Sequence, residues 1–215
     1  MNRIYTVDIN SIRDRAVYEY WYNQMPPGRR EKIDRYKPKQ SKLLSLAAGI
    51  ALKKAFEAAG LATCEVYEND YGKPYIKGAM DVFFNLSHSG DKAIAVISDA
   101  EVGIDIQKIS HFKENLIERV FTGSEIEQVG QIEGDRDICF TALWTAKESI
   151  MKYYGKGLSM DPLKINIQIK SIDNLDTEGG LRLFRKELDG YQVTICTSET
   201  DFSEVSITDV FNEKG

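Results

Sequence analysis

Two short segments carry the side chains best suited to chemistry. Asp105 stands in Val102-Gly103-Ile104-Asp105-Ile106-Gln107, and Glu148 stands in Trp144-Thr145-Ala146-Lys147-Glu148. Two carboxylates can fill part of the oxygen shell of Mg²⁺, and a lysine beside them can neutralise a diphosphate. That combination points to a phosphoryl-type transfer.

The first segment reads as a strand, in which side chains alternate between faces. Gly103, Asp105 and Gln107 then share one face, and Val102, Ile104 and Ile106 anchor the other in a core. Gly103 would let another group approach the backbone closely. A half-buried strand with a solvated face has the same pattern.

The second segment reads as a helix. Phe140, Leu143, Lys147, Ile150 and Tyr154 recur at the spacing of a core stripe, with Lys147 interrupting it by a charge. A buried lysine needs an anionic partner or it loses its proton; the alternative is a lysine that snorkels to the surface. Trp144, Glu148 and Lys152 lie on the neighbouring ridge, where Glu148 and Lys152 could equally form a surface pair. Gly155-Lys156-Gly157-Leu158 ends the helix, either as a C-cap or as a basic loop around an anion.

Three further signals are open to two readings. Asn85-Leu86-Ser87-His88-Ser89-Gly90 reads as a strand ending in a polar turn, which could aim donors at a phosphate or bond only to itself. Lys73 sits in a tight turn, Tyr71-Gly72-Lys73-Pro74. Arg29, Arg30 and Lys32 form a basic cluster that is either a binding patch or a solvated face.

The elements that must position these groups follow from periodicity and turn residues. An opening strand spans Ile4 to Ile9, and Asn10-Ser11 offers a cap for a helix from Ile12 to Tyr22. A short basic helix covers Arg29 to Arg35. Gln40-Ser41 offers the cap of a longer helix that Gly60 ends. Strands are expected over 64–68, 83–87, 93–98 and 102–107, then helices over 113–121, 123–131 and 135–154. The tail reads as antiparallel strands over 163–172, 181–185, 191–197 and 205–210. Helix followed by strands occurs twice, which predicts an α+β fold of two halves, residues 1–107 and 108–215.

Composition narrows the function classes. The chain has 215 residues, 42% hydrophobic and 28% charged, with a net charge of −5. That balance suits a globular protein and argues against general nucleic-acid affinity. No stretch approaches the roughly 18 apolar residues of a membrane span, and the first residues lack the apolar run of a signal peptide. Cys64, Cys139 and Cys196 are odd in number and far apart, which suits reduced thiols in the cytosol. No Cys-x-x-Cys pair exists and His88 and His111 stand apart, so zinc is not expected.

Gly103-Ile104-Asp105 and Trp144-x-x-Lys147-Glu148, together with Gly72-Lys73-Pro74, Asn85-Leu86-Ser87-His88-Ser89 and Gly155-Lys156-Gly157-Leu158, resemble the 4'-phosphopantetheinyl transferases. They are similar to the two-half, surfactin-synthetase type. The motifs stand in the family's order and at its spacing, clearly over about residues 25–160. The resemblance implies two pseudo-twofold-related α+β halves, each an antiparallel sheet with helices, with coenzyme A in the cleft between them. It implies transfer of the phosphopantetheine arm to a serine of an apo acyl or peptidyl carrier protein, by a monomer, with release of adenosine 3',5'-bisphosphate. Carriers of fatty-acid, polyketide and nonribosomal-peptide synthesis all fit.

Position by position, the resemblance implies that Asp105 and Glu148 bind Mg²⁺ and that Lys147 and Lys152 face the diphosphate, with Lys152 at the leaving phosphate. Ser87, His88 and Lys73 would surround the nucleotide and its phosphates. Arg29 and Lys32 would meet the 3'-phosphate, and Glu125 would be a further acidic group near the site. Two positions depart from the pattern. Gln107 stands where many bacterial members carry glutamate, and it can offer only a carbonyl oxygen to a metal or its water. The proton of the carrier serine would then pass to Glu148 or to a water on the metal. Leu44 stands near where an arginine often supports the 3'-phosphate, leaving Lys42 as the neighbouring cation. The segment 111–121, with Lys113 and Arg119, is expected to meet the carrier. A module that binds coenzyme A or a carrier without transfer is the competing reading, and Gln107 is its support. A nucleotide phosphohydrolase would want more clustered carboxylates.

Overall fold

The structure, a computed structural model, describes residues 1–61, 64–78, 81–171, 174–177 and 179–212. In chain order, β1 (Arg3–Asp8) leads through a 3₁₀ turn (Ile9–Ile12) to α1 (Arg15–Asn23), α2 (Pro27–Asp34) and α3 (Lys39–Ala58). A small hairpin, β2 (Val66–Glu68) and β3 (Pro74–Ile76), precedes β4 (Phe83–Ser89), β5 (Lys92–Ser98) and β6 (Gly103–Lys108). Then come α4 (Glu114–Val120), α5 (Gly123–Gln131) and α6 (Arg136–Tyr153). The chain closes with β7 (Ile167–Ser171), β8 (Asn174–Thr177), β9 (Arg182–Leu188), β10 (Tyr191–Thr197) and β11 (Ile207–Asp209).

Two sheets dominate, in the orders β11-β1-β5-β4 and β6-β10-β9. The same connection builds both. A strand (β1 or β6) is followed by a long helix (α3 or α6) and then by a hairpin (β4–β5 or β9–β10) whose second strand returns antiparallel beside the first. The α+β fold of two related halves expected from the sequence is therefore present.

Strand alternation sets the layers. Tyr5, Val7, Ala93, Ala95 and Ile97 pack with Leu46, Ala47, Ile50 and Ala51 of α3. Ile4, Ile94 and Val96 turn the other way, onto Val102, Ile104, Ile106, Val193 and Ile195 of the second sheet. The sheets thus meet face to face between α3 and α6. Each buried Ile or Val at this junction stabilises by roughly 1.5–3 kcal/mol. Gly103 permits α6 to lie directly on β6: a Cβ there would stand 2.1 Å from the Ser149 carbonyl oxygen.

Several local expectations need correcting. Asp8 and Asp14, not Asn10-Ser11, cap the first helical segments, because their carboxylates reach the free N–H groups of Asn10 and of Ala16 and Val17. The helix expected to start after Gln40-Ser41 begins at Lys39 behind Pro38, with no side-chain cap. The last strand, β11, runs parallel to β1 and joins the first sheet, so the tail is not wholly antiparallel. The division expected after residue 107 falls inside β6, which pairs with β10 and belongs to the second sheet. Residues 162–164 form a 3₁₀ turn rather than strand, and the far end of that expected strand, Ile172, lies outside the described residues.

Candidate active site between the two sheets

The edge strands β4 and β6 run side by side without a ladder of backbone hydrogen bonds between them. Side chains bridge the seam instead. Ile104 N–H donates to Asn85 Oδ1 (3.3 Å), Ser87 Oγ donates to Asp105 Oδ1 (2.7 Å), and Lys108 N–H donates to Ser89 Oγ (3.1 Å). These are alternate residues of β4, so one face of that strand supplies all three. Asp105 is 2% exposed. Its Oδ1 also accepts from Lys152 Nζ of α6 at 2.6 Å. Its Oδ2 is buried and has no hydrogen-bond partner.

Glu148, one turn before Lys152 on α6, is half-buried beside Asp105. Burial pushes its pKa up to about 7, and the Asp105 charge adds to the rise against the opposing pull of Lys152. Two carboxylates here share one ammonium, that of Lys152, and one oxygen of Asp105 is buried without a donor. Among the described residues no group of three or more His, Cys, Asp or Glu side chains could hold a metal. Asp105 and Glu148 alone are a donor set of the kind Mg²⁺ uses, since that ion is commonly bound by one or two carboxylates and completes its shell with substrate phosphates and water. Gln107 is half-buried, on the same face of β6 as Asp105 and two residues along from it.

Lys147 lies elsewhere, which corrects its expected place at a diphosphate. Its side chain is fully buried and runs into the core of the second half. The ammonium pairs with Glu125 Oε2 at 2.7 Å and donates to the carbonyls of Val120 (3.0 Å) and Pro162 (2.8 Å). All three donors of the group are used. Burial still holds its pKa below the usual lysine value, with Glu125 opposing. Glu125 is 1% exposed and equally occupied. It closes a capping box with Thr122 and accepts from Ile167 N–H. It is a structural anion of α5 rather than an acidic group of the site.

The nucleotide-side candidates divide into two groups. Arg29 of α2 lies against Gly49 of α3 and donates through Nη2 to the Ser45 carbonyl (2.6 Å), while its Nε is buried without a partner. Burial holds this guanidinium below its ordinary pKa. His88, at the exposed end of β4, feels Arg29 as a charge: desolvation, and then the charges of Lys152 and Arg29, lower its pKa. Lys32 is half-buried and pairs with Glu68 at 2.9 Å, a surface contact that an anion can displace. Leu44 packs against the core of the first half and leaves Lys42, half-buried, as the nearby cation.

Ser87 and Lys73 are bonded to other protein groups in this structure. Ser87 is spent on Asp105. The Lys73 ammonium bonds to Glu101 and to the Tyr153 carbonyl, and its stem lies against Gly155, whose φ of +64° and missing Cβ make room for it. Lys73 thus ties its turn to the end of α6. Asn69 does the same by accepting from Tyr71 and Lys73 N–H and donating to the Gly155 carbonyl. Sequence reasoning missed the Asn69 and Glu101 contacts and the seam formed by Asn85, Ser87 and Ser89. The period-two polar pattern of β4 was the available signal for the seam.

The expected carrier segment forms the exposed edge of α4. Phe112 is buried against Phe121 and Phe140, and Ile117 and Val120 point inward. Lys113, Leu116 and Arg119, spaced three apart, face outward, with Leu116 43% exposed. Cys64, Cys139 and Cys196 are free thiols, and among the described residues no helix is long and apolar enough to cross a membrane.

The model of the 4'-phosphopantetheinyl transferase superfamily matches residues 101–202, which include Asp105, Glu148 and Lys152. The 4'-phosphopantetheinyl transferase Sfp of Bacillus subtilis (strain 168) is 26% identical over 94% of this chain and 95% of its own. The 4'-phosphopantetheinyl transferase AcpT of Salmonella typhi is 31% identical over 62% of this chain and 67% of its own. Among solved structures, a holo-(acyl-carrier-protein) synthase from Bacillus anthracis str. Ames in complex with coenzyme A (3',5'-ADP) aligns with a TM-score of 0.38 and 22% identity, covering 47% of this chain and 97% of that one. From the sequence relatives and the family match, the chain belongs to the 4'-phosphopantetheinyl transferase superfamily of enzymes.

Proposed function

We propose that this protein transfers the 4'-phosphopantetheine arm of coenzyme A to a serine of an apo acyl or peptidyl carrier protein, in a Mg²⁺-dependent reaction that releases adenosine 3',5'-bisphosphate. The observation that carries the proposal is the junction of Asp105, Glu148 and Lys152 at the seam between the sheets, with Asp105 Oδ2 unbonded.

In the reaction the carrier serine oxygen forms a bond to the phosphorus that bears the pantetheine arm. The bond from that phosphorus to the bridging diphosphate oxygen breaks, and its electron pair leaves with the bisphosphate. Asp105 and Glu148 would hold Mg²⁺, with Gln107 as a neutral neighbour, and the bound ion supplies Lewis-acid neutralisation of the diphosphate. Lys152, 24% exposed at the site, turns from Asp105 to the leaving phosphate oxygen and stabilises its developing charge. Glu148, or a water held at the bound ion, would receive the serine proton. Arg29, His88 and Lys32 hold the nucleotide phosphates, with Arg29 Nε as the unfilled donor for the 3'-phosphate. Lys73 supports this side through the end of α6.

The carrier docks on α4. Lys113 and Arg119 flank the exposed Leu116 and complement an acidic helix beside the target serine. The protein acts as a monomer in the cytosol. Substituting Glu148→Gln tests the assignment of function: transfer falls by at least about a hundredfold while coenzyme A still binds. Undiminished transfer would remove Glu148 from the mechanism, and coenzyme A binding with no transfer by the unmodified protein would leave the binding-module reading.

A further inference from the structure

Ser87 has no direct part in the transfer just described, yet its buried hydroxyl bonds to the Asp105 carboxylate across the seam. It is 6% exposed, Asp105 is 2% exposed, and their oxygens are 2.7 Å apart. A serine hydroxyl has one proton to donate, so the donation to Asp105 uses its full donor capacity.

The two oxygens of Asp105 are treated unequally. Oδ1 accepts from both Ser87 and Lys152, whereas Oδ2 accepts from neither, with the Glu148 carboxyl within hydrogen-bonding reach of Asp105. A carboxylate on a strand can turn about its terminal bond, because that torsion is broad. The hydrogen bond from Ser87 fixes it. Lys152 cannot do so throughout the reaction, because the same ammonium is required at the phosphate. When Lys152 leaves, Ser87 is the group that still restrains Oδ1.

We infer that Ser87 is a positioning residue for the metal ligand: from β4 of the first sheet it locks Asp105 of the second sheet so that Oδ2 faces the cation. This rests on the reading of Asp105 and Glu148 as Mg²⁺ ligands. It also gives the inter-sheet seam a purpose beyond packing, since the carboxylate comes from one half of the molecule and its restraint from the other. Partners of this kind typically change metal affinity by about 10–100-fold when removed.

Ser89 is the internal control. It lies on the same face of β4, but bonds only to the Lys108 backbone N–H, so Ser89→Ala disturbs the seam without touching Asp105. The experiment measures Mn²⁺ binding by electron paramagnetic resonance without coenzyme A, and the Mg²⁺ concentration for half-maximal transfer with it. The proteins are the unmodified chain, Ser87→Ala, Ser87→Thr, Ser89→Ala and Asp105→Asn. Ser87→Ala is expected to weaken Mn²⁺ binding and raise the Mg²⁺ requirement by about tenfold or more, with kcat at saturating Mg²⁺ within about threefold. Ser87→Thr keeps a hydroxyl and restores most of the affinity. Ser89→Ala leaves it unchanged. If Ser87→Ala binds Mn²⁺ normally while Asp105→Asn does not, the metal reading stands and the positioning role is overturned. Equal losses in Ser87→Ala and Ser89→Ala also overturn it, because they would reflect general loosening of the seam. Normal binding by Asp105→Asn overturns the metal reading and this inference with it.

Discussion

Lys147 Nζ stands 2.7 Å from Glu125 Oε2, and neither side chain is more than 1% exposed. Adjacent residues of α6 therefore have opposite tasks: Lys147 fastens the end of α4, the cap of α5 and the turn at Pro162 into the core, and Glu148 faces the site. Removing one partner strands a buried charge, which typically costs about 3–5 kcal/mol. Lys147→Ala is accordingly expected to lower stability by about that much in chemical denaturation, with the coenzyme A Kd of the folded fraction within about twofold of normal. The double substitution Lys147→Met, Glu125→Gln recovers much of the loss. A large rise in Kd with unchanged stability would return Lys147 to the binding site.

The raised pKa of Glu148 predicts a metal-dependent stability profile. Its folded pKa of about 7 lies above the ordinary carboxylate value of 4.5, so the folded state binds this proton more tightly than the unfolded chain. This group's contribution to the stability of the metal-free protein therefore falls as pH rises from about 4.5 to about 7. Glu148→Gln should raise the metal-free Tm at pH 8 by about 2–6 °C and change it little at pH 5. Mg²⁺ should stabilise the unmodified protein at pH 8 and have a much smaller effect on the variant. Thermal scans at the two pH values, with and without Mg²⁺, check both signs.

Arg29 carries an unfilled buried donor, and a charged hydrogen bond is worth about 1.5–3 kcal/mol. Arg29→Gln should weaken coenzyme A binding by about 10–100-fold and leave binding of 3'-dephospho-coenzyme A nearly unchanged. Calorimetric titration with both ligands separates this from a general loss of fold. An equal loss for both would place the 3'-phosphate elsewhere.

Charge reversal at Lys113 and Arg119 should raise the KM for the carrier by about tenfold or more while the KM for coenzyme A stays within about twofold, because both side chains are exposed on α4 and apart from the proposed coenzyme A contacts. The effect should shrink as salt rises. An unchanged carrier KM would move docking away from α4.

Much of the framework was legible in the chain. Strand alternation put Asp105 and Gly103 on one face of β6 and the apolar residues on the other, as found. The stripe Phe140–Leu143–Lys147–Ile150 put Lys147 at a core position, buried with a partner or snorkelling outward, and the structure shows it buried, whereas the family resemblance assigned it to the diphosphate. Its partner Glu125 lies 22 residues earlier, and nothing in the spacing pairs them. The same limit explains Ser87, whose bond to Asp105 joins strands of different sheets. Such contacts depend on how the two halves pack. Periodicity reports each element separately, so it cannot supply the seam. It also missed that β11 returns to β1, because a three-residue strand carries too little pattern to fix its partner.

The most direct test of the central claim is intact-mass spectrometry of an apo carrier protein incubated with this protein, coenzyme A and Mg²⁺, with a parallel EDTA arm. The account predicts a gain of one phosphopantetheine arm on the carrier serine, lost in EDTA and lost with Asp105→Asn. A gain that persists in EDTA would contradict the metal-dependent mechanism. Absence of any gain on fatty-acid, polyketide and peptide carriers, with coenzyme A bound, would contradict the transfer itself.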